Sequence, residues 1–255
     1  MSSRSSQTSP LTRLLNHRNL TPCAPPQQAG ISDVELRAVI DGDAPSPVLL
    51  RRLAPALDLH TADLFVIAGL PVPDDLTPLD AEARSGVVSL VSAAVRLPAQ
   101  QRTGLRESLR SLPQMDRLQP SPPPPPYERY PPGPGAMILR MLHNRNLGWM
   151  GAAKCLAQVT PHYFAASTIG RIGRGEKELT ADLVAAFAAL LAVPADDLAA
   201  LTGLEAGGTT MVNPAVEDVA SLIWDARRLT AGQLAQVTNE ARSMLYEQRP
   251  SQDTA

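Results

Sequence analysis

At 255 residues, 44% apolar but only 4% aromatic, the chain suffices for one or two domains and must fill its core with aliphatic side chains. Lys+Arg 23 against Asp+Glu 25 leaves a net charge of −2, which excludes a polycation that binds by bulk charge but leaves room for a local cationic patch. Two distant cysteines, Cys23 and Cys155, exclude a disulfide framework or a zinc site and fit a reducing cytoplasm, and an arginine bias (only Lys154 and Lys177 are lysine) points to a GC-rich bacterial genome.

Residues 1–10 are Ser-rich, lack the apolar stretch of a secretory signal and are expected to be disordered. From 11 to 70, apolar residues recur at spacings of three and four, which predicts helices. Val48, Leu49, Leu53 and Leu57 share one such face with Arg52. Gly30 supplies the positive φ of a tight inter-helix turn, and Ser32 is placed to cap the helix that follows. Residues 81–112 predict a helical hairpin, with Pro98 in the first turn of its second helix. Residues 113–136 hold ten of the chain's 25 prolines and predict a stiff linker, extended at about 3.1 Å per residue.

Residues 137–204 read as helices again. Leu183, Val184, Phe187 and Leu191 match the earlier apolar face, and Thr160 before Pro161 suits a helix cap. The longest apolar run, Val184 to Val193, falls short of the roughly 20 residues of a membrane span. Residues 213–247 predict a second hairpin, with Val216, Val219, Leu222 and Ile223 on its inner face and Thr230 opening its second helix; 248–255 form a disordered tail.

The two flanks of the linker repeat. Asn16-His17-Arg18-Asn19-Leu20 answers to His143-Asn144-Arg145-Asn146-Leu147, and both segments close on Gly-Leu, at 69–70 and 203–204. Residues 89–112 lie over 221–244 at a constant offset of 132, with nine of 24 positions identical. A tandem duplication of about 100 residues accounts for this register.

Arg18-Asn19-Leu20-Thr21, Ala29-Gly30-Ile31-Ser32 and Val39-Ile40-Asp41-Gly42 resemble, in order, the corner, turn and recognition-helix end of the Xre family, the Cro and phage-repressor class of helix-turn-helix proteins. Ser167-Thr168-Ile169-Gly170-Arg171-Ile172-Gly173-Arg174-Gly175 resembles the same recognition helix more closely. The resemblance covers about 60 residues of each half. It implies an all-α protein of two lambda-repressor-like helix-turn-helix bundles (11–70, of degenerate pattern, and 137–204), each followed by its hairpin and joined by the Pro-rich linker. In this family the first turn of the recognition helix enters the DNA major groove.

The copies differ in charge. Residues 11–70 hold five cations and six anions, net −1, with Asp33, Glu35, Asp41 and Asp43 around Arg37; residues 137–204 hold six and five, net +1, with no acid before Glu176 in the second recognition helix. The second unit is therefore the expected DNA binder. Its sequence departs from the pattern by about six extra residues near Gln158 to Phe164, and the first unit's by Pro25-Pro26 in its second helix. The Gln that often opens the family's second helix is replaced by Pro22 and Trp149.

The expected DNA-binding residues are Arg145, Lys154, His162, Ser167, Thr168, Arg171, Arg174 and Lys177, with Ser32 and Arg37 from the first unit. Arg171 and Arg174 are the cations placed for phosphate or guanine, Ser167 and Thr168 for base edges, and His162 for backbone contact from the inserted loop. Cys155 reads as a core residue, and Arg18 and Arg145 equally suit cations at a helix C-terminus. No phosphate loop, metal cluster or nucleophile motif is present, so neither an enzyme nor a cofactor is expected. The reading is a sequence-specific transcriptional regulator, cytoplasmic and nucleoid-associated when bound to double-stranded DNA. It would act as a homodimer or an intramolecular pseudo-dimer, with a protein partner possible on the acidic first unit. The competing reading is an interaction or antitoxin-like scaffold without DNA binding.

Overall fold

The computed structural model describes residues 8–20, 30–117, 128–205 and 212–247, and all regular structure among them is helical. The first half contributes α1 (Pro10–His17), α2 (Asp33–Ile40), α3 (Pro47–Ala56), α4 (Thr61–Ile67), a 3₁₀ turn (Asp74–Leu76), α5 (Arg84–Ala94) and α6 (Ala99–Ser111). The second contributes α7 (Pro134–His143), α8 (Trp149–Val159), α9 (Ala166–Gly173), α10 (Ala181–Leu191), α11 (Ala195–Thr202), α12 (Val216–Ala226) and α13 (Ala231–Glu247). Pro22, Cys23 and Pro25-Pro26 lie outside the described residues, as do the tail expected to be disordered at 248–255 and residues 1–7 of the disordered start expected at 1–10; Ser9 and Pro10, against that expectation, cap and open α1. No helix among those described is long and apolar enough to cross a membrane.

Local chemistry explains where the helices begin and turn. Ser9, Ser46 and Thr180 each accept the backbone N–H three residues on, satisfying donors that a helix start leaves free. Ser32 and Glu35 form a reciprocal capping box at α2. The repeated Arg-Asn-Leu corner ends α1 and α7: Asn19 (φ +54°) and Asn146 (φ +56°) adopt the left-handed conformation that Asn tolerates, and the N–H groups of Leu20 and Leu147 bond back to Leu15 and Leu142. Gly30 has φ +60°, as its turn requires.

Several expectations are corrected. Thr160 caps nothing on α9; it ends α8, its hydroxyl donating to the Leu156 carbonyl, and α9 starts only at Ala166. Thr230 and Pro98 sit one position before their helices, Thr230 in a reciprocal pair with Gln233. Val48 is exposed rather than on the buried face, which Leu49, Leu53 and Leu57 form. The end of the proline-rich segment is docked: Glu128 and Tyr130 are buried, Arg84 and His143 flank the Glu128 carboxylate, and α7 begins at Pro134.

The two halves share one continuous hydrophobic cluster, running from Leu11 to Ala241. Their contacts are reciprocal. Helix α1 packs on α11 of the other half and α7 on α4; the hairpins cross, α5 lying along α13 and α12 along α6. Two ion pairs, each on a buried carboxylate, follow the same exchange. Arg18 forks onto Asp197 and donates to the Leu57 carbonyl; Arg145 forks onto Asp63 at 3.0 and 2.8 Å and donates to the Leu191 carbonyl. Residue i meeting j while the equivalent of j meets the equivalent of i is the signature of an isologous, two-fold interface, here within one chain.

Candidate nucleic-acid interface

Helix α9 carries the residues expected to read DNA, and its mounting is defined by small residues. Its inner face, Ile169, Gly170, Ile172 and Gly173, is buried against α7 and α8. A Cβ at Gly170 would meet the Trp149 ring at 2.8 Å, one at Gly173 the Tyr130 ring at 2.8 Å, and one at Gly135 of α7 the Ile172 carbonyl oxygen at 2.0 Å. Glycine at these three positions lets α9 lie directly on two aromatic rings and on α7. The rings are fixed to each other, since Trp149 Nε1–H donates to the Tyr130 hydroxyl at 2.5 Å.

The outer edge of α9 presents Ser167 and Arg171, one turn apart and both exposed, with Thr168 half-buried beside them. The N-cap position is Ala165, with no side chain accepting the free N–H groups of the first turn. Arg171, Arg174 and Lys177 follow. Arg174 is engaged within the chain: its guanidinium forks onto Glu176 at 2.6 and 3.1 Å and lies 5.3 Å from the Trp149 ring centre. That bond raises the Arg174 pKa and lowers that of Glu176. Arg171 approaches Glu176 only at 4.0 Å. Lys177 is exposed, as is Lys154 on α8, while His162 sits half-buried in the α8–α9 loop against Phe164.

Arg145 is a correction. It is fully buried, and its guanidinium is taken up by Asp63, Met141 and Leu191 oxygens, so it cannot reach DNA. Its partner Asp63, which also accepts from Asn144, is 82 residues away in sequence, and nothing local announces the pair. Sequence reasoning also missed Trp149 and Tyr130 as supports of α9; the glycines at 135, 170 and 173 were the available signal.

The corresponding helix of the first half, α2, differs. Ser32 and Glu35 are occupied with each other, and Glu35 also takes Arg52 at 2.7 Å. Arg37 is exposed among Asp33, Asp41 and Asp43, and Val34 stands 78% exposed on the same helix. Cys155 is buried, and burial pushes its thiol up to about 12, which keeps it an unreactive thiol. No group of three or more His, Cys, Asp or Glu able to hold a metal occurs among the described residues. Comparison with protein-family models, curated proteins and solved structures returns no match to this chain.

Proposed function

We propose that the protein is a sequence-specific DNA-binding transcriptional regulator, with α8 and α9 as the helix-turn-helix of its better DNA-binding unit and α2 as the recognition helix of a weaker one. The observation that carries this is the polarity of α9. One face is buried on α7, α8 and two aromatic rings; the other exposes Ser167 and Arg171, with Lys177 beyond and no acid within the helix. Side chains of this kind on a rigidly seated helix suit base edges and phosphates. The uncapped first turn adds backbone N–H donors oriented for an anion.

The reciprocal contacts between the halves support an intramolecular pseudo-dimer. In related architectures a two-fold assembly presents two recognition helices to half-sites about 34 Å apart. The two units here carry unequal helices, so the reading is an operator with one strong and one weak half.

The test is selection from a randomised duplex pool by the full chain at physiological salt, followed by anisotropy with the enriched duplex. Arg171→Ala with Lys177→Ala is expected to cost at least tenfold and to lower the salt slope by one to two phosphates. An unenriched pool, or an unchanged affinity in the double variant, rejects the proposal. A second reading rests on α2: four surrounding acids with exposed Val34 suit a protein partner better than phosphate. Asp33→Lys is therefore expected to leave DNA affinity unweakened.

A further inference from the structure

The two crossed hairpins are equivalent at an offset of 132, so their two long seams, α6–α12 and α5–α13, can be compared position by position. In the α6–α12 seam the charges are satisfied. Asp225 accepts from Arg106 at 2.7 Å and Arg110 at 2.8 Å, and Arg228 bonds the Asp75 carbonyl at 2.7 Å. In the α5–α13 seam the equivalent of Asp225 is Ala93, of Arg110 is Arg242, of Arg228 is Arg96 and of Arg106 is Thr238. Of the two arginines that hold Asp225, only Arg110 has an arginine equivalent, Arg242, and its carboxylate is gone; Arg96 answers to Arg228, which bonds a backbone carbonyl in the twin seam. Neither Arg96 nor Arg242 meets a carboxylate among the described residues, and both line an open cavity of about 300 Å³ whose wall includes Ala93 and Leu245. A second cavity of about 200 Å³ continues between the same arginines and Tyr246, and a third of about 230 Å³ runs on from Arg242 to Glu82. Lys154 of α8 adds a cation on the same flank. It lies one turn from Gly151, whose side faces Val88, and one turn from Gln158, which bonds Ser92.

We propose that this groove binds a small organic carboxylate, whose carboxyl group takes the position that Asp225 fills in the twin seam. A guanidinium pairs a carboxylate through two parallel N–H donors. Arg242 and Arg96 supply such forks from opposite walls, and the Ser89 hydroxyl lines the same cavity. Leu245 and the Tyr246 ring supply apolar walls for the body of the ligand, which favours an aromatic or branched acid over acetate. Glu82, at the far end of the third cavity, disfavours a second negative charge there and so limits the ligand's charge. Because α5 and α13 belong to opposite halves, an occupant would bridge them. The proposal stands on the two seams and does not depend on DNA binding.

The test is calorimetric titration of the full chain with benzoate, acetate and inorganic phosphate, each against sodium chloride at matched ionic strength. Benzoate is expected to bind saturably, one per chain, and more tightly than acetate. Arg242→Ala is expected to weaken it at least tenfold, and Arg110→Ala, the equivalent change in the twin seam, to leave it unaltered. Ala93→Asp, which restores the internal carboxylate, is expected to abolish binding; if that variant does not fold, Arg96→Ala with Arg242→Ala decides. No saturable binding, binding of phosphate alone, or an unchanged affinity in Arg242→Ala overturns the proposal. So does a loss of DNA affinity in Arg242→Ala with no small acid bound, which would assign the groove to nucleic acid.

Discussion

Replacing Arg145 by Met removes one partner of a fully buried ion pair and leaves the other stranded. Asp63 then keeps only the Asn144 amide N–H at 2.9 Å of the donors it has now, in a site with no measurable exposure. Breaking a buried pair from one side costs about 3–5 kcal/mol. For a domain of this size each kcal/mol moves the melting temperature by about 2–4 °C, so a fall of roughly 6–20 °C is expected. Arg145→Met with Asp63→Leu removes both charges and is expected to recover most of it, because a matched apolar pair avoids the desolvation of two ions. The reciprocal variant, Arg18→Met, is expected to cost less, since the Arg18 side chain is 24% exposed and water can reach its partner. Urea titration and thermal melts followed by far-ultraviolet circular dichroism measure all four proteins. On the DNA-binding function proposed above, Arg145→Met below its melting temperature should bind DNA within twofold of the parent. A melting shift under 2 °C would refute the burial argument, and a lost unit of salt slope would return Arg145 to the phosphate backbone.

Three more outcomes are expected. Glu176→Gln removes the anion that holds Arg174 and stands near Arg171, so on the proposed DNA-binding function affinity should rise severalfold with a steeper salt slope in anisotropy; a weaker complex would mean that Glu176 positions the arginines productively. His60, half-buried and stacked 3.5 Å from Trp224, has its pKa lowered to about 4 by partial burial and then by Arg145; His143 falls to about 4 through burial, Arg84 and Arg140, which outweigh the Glu128 carboxylate at 3.6 Å. Both then stay neutral in the folded chain while the unfolded chain takes up protons, so stability present above pH 6.5 is lost as pH falls toward 4, by about 3 kcal/mol for His60 alone. Urea midpoints that stay flat between pH 7 and 4.5 would contradict this. Gly135→Ala drives a methyl group into the Ile172 carbonyl and should lower the melting temperature, whereas Gly104→Ala, in open space within α6, should raise stability by about 0.5–1 kcal/mol; equal effects would refute the close approach of α7 and α9.

Features written in neighbouring residues were legible in the sequence. The αL corner at Asn19 and Asn146, the φ of Gly30, the Ser32 cap and the helical periodicity all depend on contacts within a few positions. Features that depend on the other half were not. An arginine ending a helix looks the same whether it faces water, as a C-terminal cation does, or a carboxylate 82 residues away, as Arg145 does. The proline content of 113–136 describes backbone stiffness, which says nothing about whether Glu128 and Tyr130 are captured by Arg84 and Trp149. At the candidate interface, Ser167 and Arg171 of α9, which the family resemblance singles out, are exposed. The pairing of Arg174 with Glu176 was not legible, although the two are only two residues apart, because it needs the turn at Gly175 (φ +73°) to fold them together.

The reciprocal packing also explains why the two halves can differ so much. In a symmetric assembly of two identical chains every substitution appears twice, and an unpaired charge on one side of the axis is unpaired on both. Here one chain supplies both sides, so each position is free of its equivalent. Asp225 pairs with Arg106 and Arg110 on one seam, while on the other Ala93 stands in its place and Arg242 meets no carboxylate among the described residues. Likewise α2 holds Asp33 and Glu35 where α9 holds Ser167 and Thr168 close to its start. What must stay matched is what carries the axis: Arg18 with Asp197, Arg145 with Asp63, and the crossed hairpins. The symmetric residues therefore hold the halves together, and the asymmetric ones, α9's outer edge and the Arg96–Arg242 groove, are the two surfaces for which binding is proposed.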